Sequence, residues 1–214
     1  MKEITEQMLD ALREGIMKSM SQKRFCHTVA VEQMVARLCE LFCPEQTLRM
    51  RAAALLHDIT KELKTDEQAA LCRTYGLTVT DADLLAPKTL HARTAAAKIA
   101  VEYPAFDDPT VTEAVRWHTT GHAGMTLTEK LLYLADYIDE SRTFESCVIL
   151  RRYFWGAEPE SMSQERREAL LRKTLILSYD MTVRDLIGEG KPVATDTVEA
   201  RNELLLEEAK SNFS

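Results

Sequence analysis

Residues 49–61 constrain this chain most, because an apolar, helix-forming run there ends in two adjacent polar side chains, His57 and Asp58. The alanines and leucines that precede the pair favour a buried helix. An imidazole and a carboxylate buried without partners cost several kcal/mol in transfer free energy. A divalent cation can satisfy both, because it accepts neutral nitrogen and anionic oxygen together.

Taken alone, a His-Asp pair is weak evidence for a metal site. His57 can equally be satisfied by a backbone carbonyl at the end of a helix. Lys61 follows Asp58 by roughly one helical turn, and a cation beside metal ligands is typical of phosphate chemistry. The other ligands must therefore come from elsewhere in the chain.

Further polar residues lie at predicted helix ends or on apolar helix faces. They are His27, His91, His118 and Asp136. Each taken singly is better explained as an ordinary buried residue; Asp136, for example, could pair with Arg142. Taken together they would need several independent partners, whereas one metal site would satisfy them jointly.

The composition favours long helices, because only 7 Gly and 6 Pro interrupt 214 residues. Helical periodicity predicts helices over 1–20, from His27 onward, 46–58, 127–139, 166–187 (one or two helices) and from Thr195 onward. The predicted fold class is all-α. We expect a helical core over 1–143, with helices of 144–214 packing on it in one compact domain.

Several classes of protein are excluded. A net charge of -7 argues against binding nucleic acid. The first 20 residues lack the pattern of a signal peptide, and no apolar run reaches the ~20 residues of a membrane span. Five irregularly spaced cysteines do not suggest a disulfide framework. We expect a cytoplasmic protein without membrane partners. Arg151 and Arg152 read as a solvated charge pair.

The order of histidine, His-Asp pair and aspartate on separate helices resembles the HD-domain metal-dependent phosphohydrolases. The match is closer to the YqeK family, bacterial symmetrical hydrolases of dinucleoside tetraphosphates. The resemblance covers residues 20–142 and resumes over 182–205. Its motifs are residues 24–28, 53–61, 90–92, 118–121 and 133–138. The segment 144–152 departs from the family pattern, because the usual Pro-Gly turn is missing.

The resemblance implies a role for each candidate residue. It implies a divalent metal, iron by family expectation, with Mn, Co, Mg and Zn as alternatives, and one or two ions. The implied metal ligands are His27, His57, Asp58 and Asp136, with His91 and His118 binding a phosphate or a second metal. The implied phosphate contacts are Arg24, Lys61 and Arg142.

The implied reaction is the cleavage of diadenosine tetraphosphate to two ADP, by attack of a metal-activated water on phosphorus. Asp58, Lys61 and His118 are the catalytic candidates. The alternatives are hydrolysis of a nucleoside monophosphate or a guanosine alarmone, a nucleotide-binding sensor without turnover, and a helical adaptor without metal. The sequence leaves a homodimer open.

Overall fold

An antiparallel pair of helices brings the first two candidate segments together. The computed structural model describes residues 3–211; α1 spans Glu6–Met17, α2 spans Gln22–Phe42 and α3 spans Thr47–Leu56. A single 3₁₀ turn, Pro44–Gln46, joins α2 to α3. Because the two helices pack along each other, the start of α2, with His27, lies beside the end of α3, with His57.

The rest of the chain is also helical. The further helices are α4 Thr65–Thr74, α5 Asp81–Leu85, α6 Leu90–Glu102, α7 Pro109–Trp117, α8 Leu127–Ile138, α9 Glu145–Trp155, α10 Gln164–Gly188 and α11 Thr195–Ser211. Within residues 3–211 there is no strand, so the predicted all-α class is confirmed. None of these helices is long and apolar enough to cross a membrane. Of the helix predicted over 1–20, residues 1 and 2 lie outside the described range.

Helix α3 is central, because α1, α2, α7 and α8 all pack against it. Ala52, Ala53 and Ala54 are fully buried, and their small side chains let the neighbouring backbones approach closely. Leu55 and Leu56 are also fully buried; each contributes about 1.5–3 kcal/mol of stability. This apolar burial offsets the cost of drawing the polar end of α3 into the interior.

Helix α2 begins earlier than the sequence pattern predicts. The expected start was His27, but the helix starts at Gln22, because the Ser21 hydroxyl caps it by accepting from the Arg24 amide at 3.2 Å. Arg24 and His27 therefore share one helix and lie three residues apart, on the same face.

The C-terminal helices pack on the same core. Helix α10 contacts α2, α8, α9 and α11, and residues 166–187, predicted as one or two helices, form one. Tyr179 on α10 is fully buried, with its ring 4.7 Å from the ring of Tyr133 on α8. The division into 1–143 and 144–214 remains a prediction.

Gly121 offers a test of this packing. Its φ is +63°, and an added Cβ would lie 2.0 Å from the Tyr179 hydroxyl. We expect Gly121→Ala to lower the free energy of unfolding by roughly 2–4 kcal/mol, through overpacking and backbone strain. Gly124, with φ +81° and open space around it, is the matched control; Gly124→Ala should cost about 1 kcal/mol. Urea denaturation measures both. Equal losses would contradict the close contact.

Candidate metal centre

The four side chains predicted as metal ligands meet where α2, α3 and α8 converge. His27 Nε2 lies 3.0 Å from Asp136 Oδ1 and 3.7 Å from Asp58 Oδ2. His57 Nε2 lies 3.5 Å from Asp58 Oδ2 and 3.6 Å from Asp136 Oδ1. His57 and Asp58 are almost completely buried, and Asp136 is half-buried. The structure thus brings together residues that are far apart in the chain.

Asp58 connects this group to two further histidines. Its other oxygen, Oδ1, lies 3.2 Å from His91 Nε2 and 3.6 Å from His118 Nε2. The Nε2 atoms of His91 and His118 are 3.0 Å apart. One carboxylate therefore faces both groups, with one oxygen toward each.

Backbone carbonyls orient three of the imidazoles in the same way. Nδ1 of His57, His91 and His118 lies 2.6, 2.6 and 2.7 Å from the carbonyl oxygen three residues earlier. Because a carbonyl only accepts, each Nδ1 carries the hydrogen and Nε2 faces the centre. The backbone interaction that could have explained His57 without a metal is present, and it leaves Nε2 available for one.

Two buried nitrogens point into the centre without a hydrogen bond. They are His27 Nε2 and His57 Nε2. Ligand atoms at 2.0–2.2 Å from one cation are about 2.8–3.6 Å from each other. Three of the four separations given above fall in this range, and the fourth, 3.7 Å, exceeds it by 0.1 Å. His27, His57 and Asp136 form one triad of donor atoms, and His57, Asp58 and His118 form a second. The donor set fits a divalent cation.

Comparison with known proteins agrees with this geometry. The HD domain family model matches residues 24–141, more than half of the chain and nearly all of the centre. The chain belongs to the HD domain family. The family predicted from the motifs is confirmed, and HD domains bind divalent metals.

Named relatives of this HD domain protein match along most of their length. The symmetrical bis(5'-nucleosyl)-tetraphosphatase of Halalkalibacterium halodurans is 30% identical over 189 residues, 88% of this chain and 92% of that protein. The protein of the same name from Staphylococcus aureus is 34% identical over 170 residues, 78% of this chain and 84% of that protein.

A solved structure shows the same fold. It is a crystal structure from Clostridium acetobutylicum, described as a predicted HD superfamily hydrolase involved in NAD metabolism. Its TM-score is 0.80 at 30% sequence identity, covering 92% of this chain and 97% of that one. The two arrangements of helices therefore correspond over nearly the whole length of both chains.

The charges in the centre require positive charge between the two aspartates. Burial opposes ionisation of both carboxyls. For Asp58 the effect of His57 and other neighbours outweighs burial, and for Asp136 the effect of Arg142 and His27 does. The pKa values of both carboxyls therefore lie well below the usual range. Burial likewise opposes a charged His57, yet Asp58 and Asp136 raise its pKa to about 10. A bound cation would supply the charge that a proton supplies here.

Three basic side chains surround the centre on its accessible side. Arg24 Nη1 lies 2.5 Å from Asp58 Oδ2, and Arg142 Nη2 bonds to Asp136 Oδ1. Lys61 Nζ lies 3.1 Å from His91 Nε2, and burial lowers its pKa. Each of the three is partly exposed, so a phosphate group could reach them. The ion pair between Asp136 and Arg142, considered from the sequence as an alternative to a metal, coexists with the metal-like arrangement.

Sequence reasoning missed Asp139, which contacts Nδ1 of His27, the ring nitrogen that does not face the centre. Asp139 is fully buried, and its Oδ2 lies 3.4 Å from His27 Nδ1 and 3.2 Å from Arg142 Nε. Its Oδ1 accepts from the backbone amide of Ser141, and the Ser141 hydroxyl lies 3.2 Å from His27 Nδ1. The available signal was the spacing Asp136–Asp139, because the helix predicted over 127–139 would carry both carboxylates on one face.

A second group that sequence reasoning missed fixes the turn after Asp58. The Thr60 hydroxyl donates to the His91 carbonyl at 2.9 Å and lies 2.9 Å from the Thr94 hydroxyl. Thr94 Oγ1 lies 2.6 Å from Gln68 Oε1, and Gln68 Nε2 donates to the Thr60 carbonyl at 2.5 Å. All three side chains are buried. This network joins α4, the turn bearing Lys61, and α6.

Replacing the central hydroxyl of this network tests its contribution. Thr94→Val leaves the buried Gln68 carbonyl oxygen without its donor, so we expect the free energy of unfolding to fall by about 1–3 kcal/mol. Thr74→Val, at an exposed position where the hydroxyl bonds to its own helix, should change it by less than about 0.5 kcal/mol. Urea denaturation compares the two. A Thr94→Val protein as stable as the wild type would show that the network contributes nothing.

Proposed function

We propose that this chain hydrolyses diadenosine tetraphosphate, and related dinucleoside tetraphosphates, symmetrically to two ADP, with a divalent metal. The observation that carries the proposal is the buried donor set of His27, His57, Asp58 and Asp136 with basic side chains beside it. Support for the substrate comes from relatives at 29–34% identity that are named symmetrical bis(5'-nucleosyl)-tetraphosphatases.

In this proposal His27, His57, Asp58 and Asp136 hold the metal, and His91 and His118 are placed to hold a second ion or a phosphate. When bound, a divalent cation lowers the pKa of a coordinated water and polarises a phosphoryl oxygen. We propose iron, by family expectation; imidazole and carboxylate donors also suit Mn, Co and Zn.

Arg24, Lys61 and Arg142 bind the polyphosphate and stabilise the negative charge that develops as the anhydride bond breaks. The guanidinium of Arg24 already pairs with the carboxylate of Asp58, and that of Arg142 with the carboxylate of Asp136. Burial lowers the pKa of Lys61, and a phosphate beside its ammonium group would favour the charged form.

Asp58 and His118 are proposed for proton transfer. Asp58 is ionised and faces both groups of imidazoles, so it can orient a water or accept its proton. His118 uses its Nδ1 hydrogen on a backbone carbonyl. Its Nε2 can therefore either ligate a second ion or, when protonated, donate to the departing phosphate; these two roles exclude each other.

The proposal is tested by chromatography of diadenosine tetraphosphate digests with Mn²⁺ or Fe²⁺. We expect ADP as the only nucleotide product, and loss of turnover in a chelator with recovery on adding metal. Release of AMP with ATP would mean asymmetric cleavage. Turnover of a nucleoside monophosphate or a guanosine alarmone instead would favour the function of another HD hydrolase. Tight binding of diadenosine tetraphosphate without release of ADP would favour a nucleotide-binding sensor.

Two substitutions separate metal binding from phosphate binding. Asp58→Ala should abolish turnover and metal retention together, because Asp58 contacts both groups of imidazoles. Lys61→Ala should retain the metal but lose roughly 10²–10³-fold in kcat, the usual cost of one donor that stabilises developing charge. Lys64→Ala, at an exposed lysine nearby, should match the wild type. Elemental analysis and steady-state kinetics measure these effects; a metal-loaded Asp58→Ala with normal turnover would refute the assignment.

A further inference from the structure

Arg151 lies outside the residues that match the HD domain model, yet it reaches into the turn that supports the metal centre. The sequence suggested that Arg151 and Arg152 form a solvated pair. This is wrong for Arg151, whose side chain is only 16% exposed. Arg152, its neighbour on α9, is exposed as predicted.

The guanidinium of Arg151 binds three backbone carbonyls, one at the end of α8 and two in the turn that follows it. Nε donates to the Ile138 carbonyl at 2.8 Å, and Nη2 donates to the carbonyls of Asp139 and Arg142, the latter at 2.9 Å. The chain leaves α8 at Asp139 with an extended backbone (φ -60°, ψ 154°). The last helical carbonyls therefore have no next turn to bind, and the planar fork of an arginine is well suited to several of them.

The turn fixed in this way carries side chains that orient ligands. Within it, Asp139 and Ser141 contact His27 Nδ1, and Arg142 bonds to Asp136. A shift of this backbone would move both sides of the contact between His27 and Asp136. Mutation of groups that hydrogen-bond to metal ligands commonly lowers metal affinity or activity by 10–100-fold.

Helix α9 holds Arg151 rigidly. Leu150 and Phe154 on the same helix are fully buried and belong to the main core. The arginine therefore extends from a packed helix, and the position of its guanidinium is set by that packing as well as by the carbonyls.

We propose that Arg151 is a positioning residue for the metal centre, through which α9 fixes the turn of residues 138–142. It contacts neither the candidate ligands' side chains nor the centre itself, and its effect passes through Asp139, Ser141 and Arg142. The segment beyond the HD domain model thus takes part in organising the metal site.

The test compares Arg151→Lys and Arg151→Ala with the matched changes Arg152→Lys and Arg152→Ala. Mn²⁺ affinity is measured by titration calorimetry, at a temperature where circular dichroism shows each variant fully folded. We expect both Arg151 variants to bind Mn²⁺ about 10–100-fold more weakly than the wild type, with a smaller loss of affinity in Arg151→Lys than in Arg151→Ala. The Mn²⁺ affinity of both Arg152 variants should stay within about twofold of the wild type. A purely structural role would lower the melting temperature but leave the affinity of the folded protein unchanged.

The kinetic part of this inference rests on the proposed function. We expect kcat on diadenosine tetraphosphate to fall with Mn²⁺ affinity in the Arg151 variants, while Arg152 variants keep both. If the wild type does not cleave this substrate, the proposed function fails but the Mn²⁺ comparison still decides the role of Arg151. Wild-type Mn²⁺ affinity in a folded Arg151→Lys protein would overturn the proposal, even if Arg151→Ala fails to fold.

Discussion

The structure depends on two ionised aspartates held among buried imidazoles. Asp58 and Asp136 come from helices that are distant in sequence, and both have pKa values well below the usual range. Carboxylates removed from water in this way demand positive charge close by. The arginines at the rim supply part of it, and the inward-facing nitrogens indicate where a cation would supply the rest. Core packing around α3 offsets the cost of this arrangement, since Met50, Leu55, Leu56 and the three alanines 52–54 are completely buried.

The topology explains how so many polar groups reach one place. Helices α2 and α3 form an antiparallel pair, as do α6 and α7, so in each pair the start of the first helix lies near the end of the second. His27 and His91 lie near helix starts, whereas His57 and His118 follow directly after helix ends. Short connections within each pair, together with the packing of α7 on α3, therefore gather four imidazoles at one end of the bundle.

Much of this could be predicted from the sequence, because helical periodicity and the polar residues that interrupt it are local signals. The all-α class and the order of the helices follow from them, whereas the convergence of His27, His57, Asp58 and Asp136 was implied by the resemblance of the motifs to the HD-domain phosphohydrolases. What could not be predicted depended on contacts between distant segments. Arg151 looks like any surface arginine until α9 is seen to pack against the end of α8, and Thr60, Gln68 and Thr94 show no periodic pattern that would mark them as one network. The early start of α2 was missed for a different reason, since the cap at Ser21 is a local signal that the charged residues after it obscured.

The backbone carbonyls behind His57, His91 and His118 have an evolutionary consequence. In many metal sites a carboxylate side chain orients each imidazole, and a single base change can remove it. Here the orienting acceptor belongs to the main chain, so every amino acid at that position provides it. A substitution there that keeps the local backbone therefore leaves the tautomer of the histidine unchanged. The orientation of the three imidazoles thus depends on the path of the backbone and not on the identity of the side chains three residues earlier.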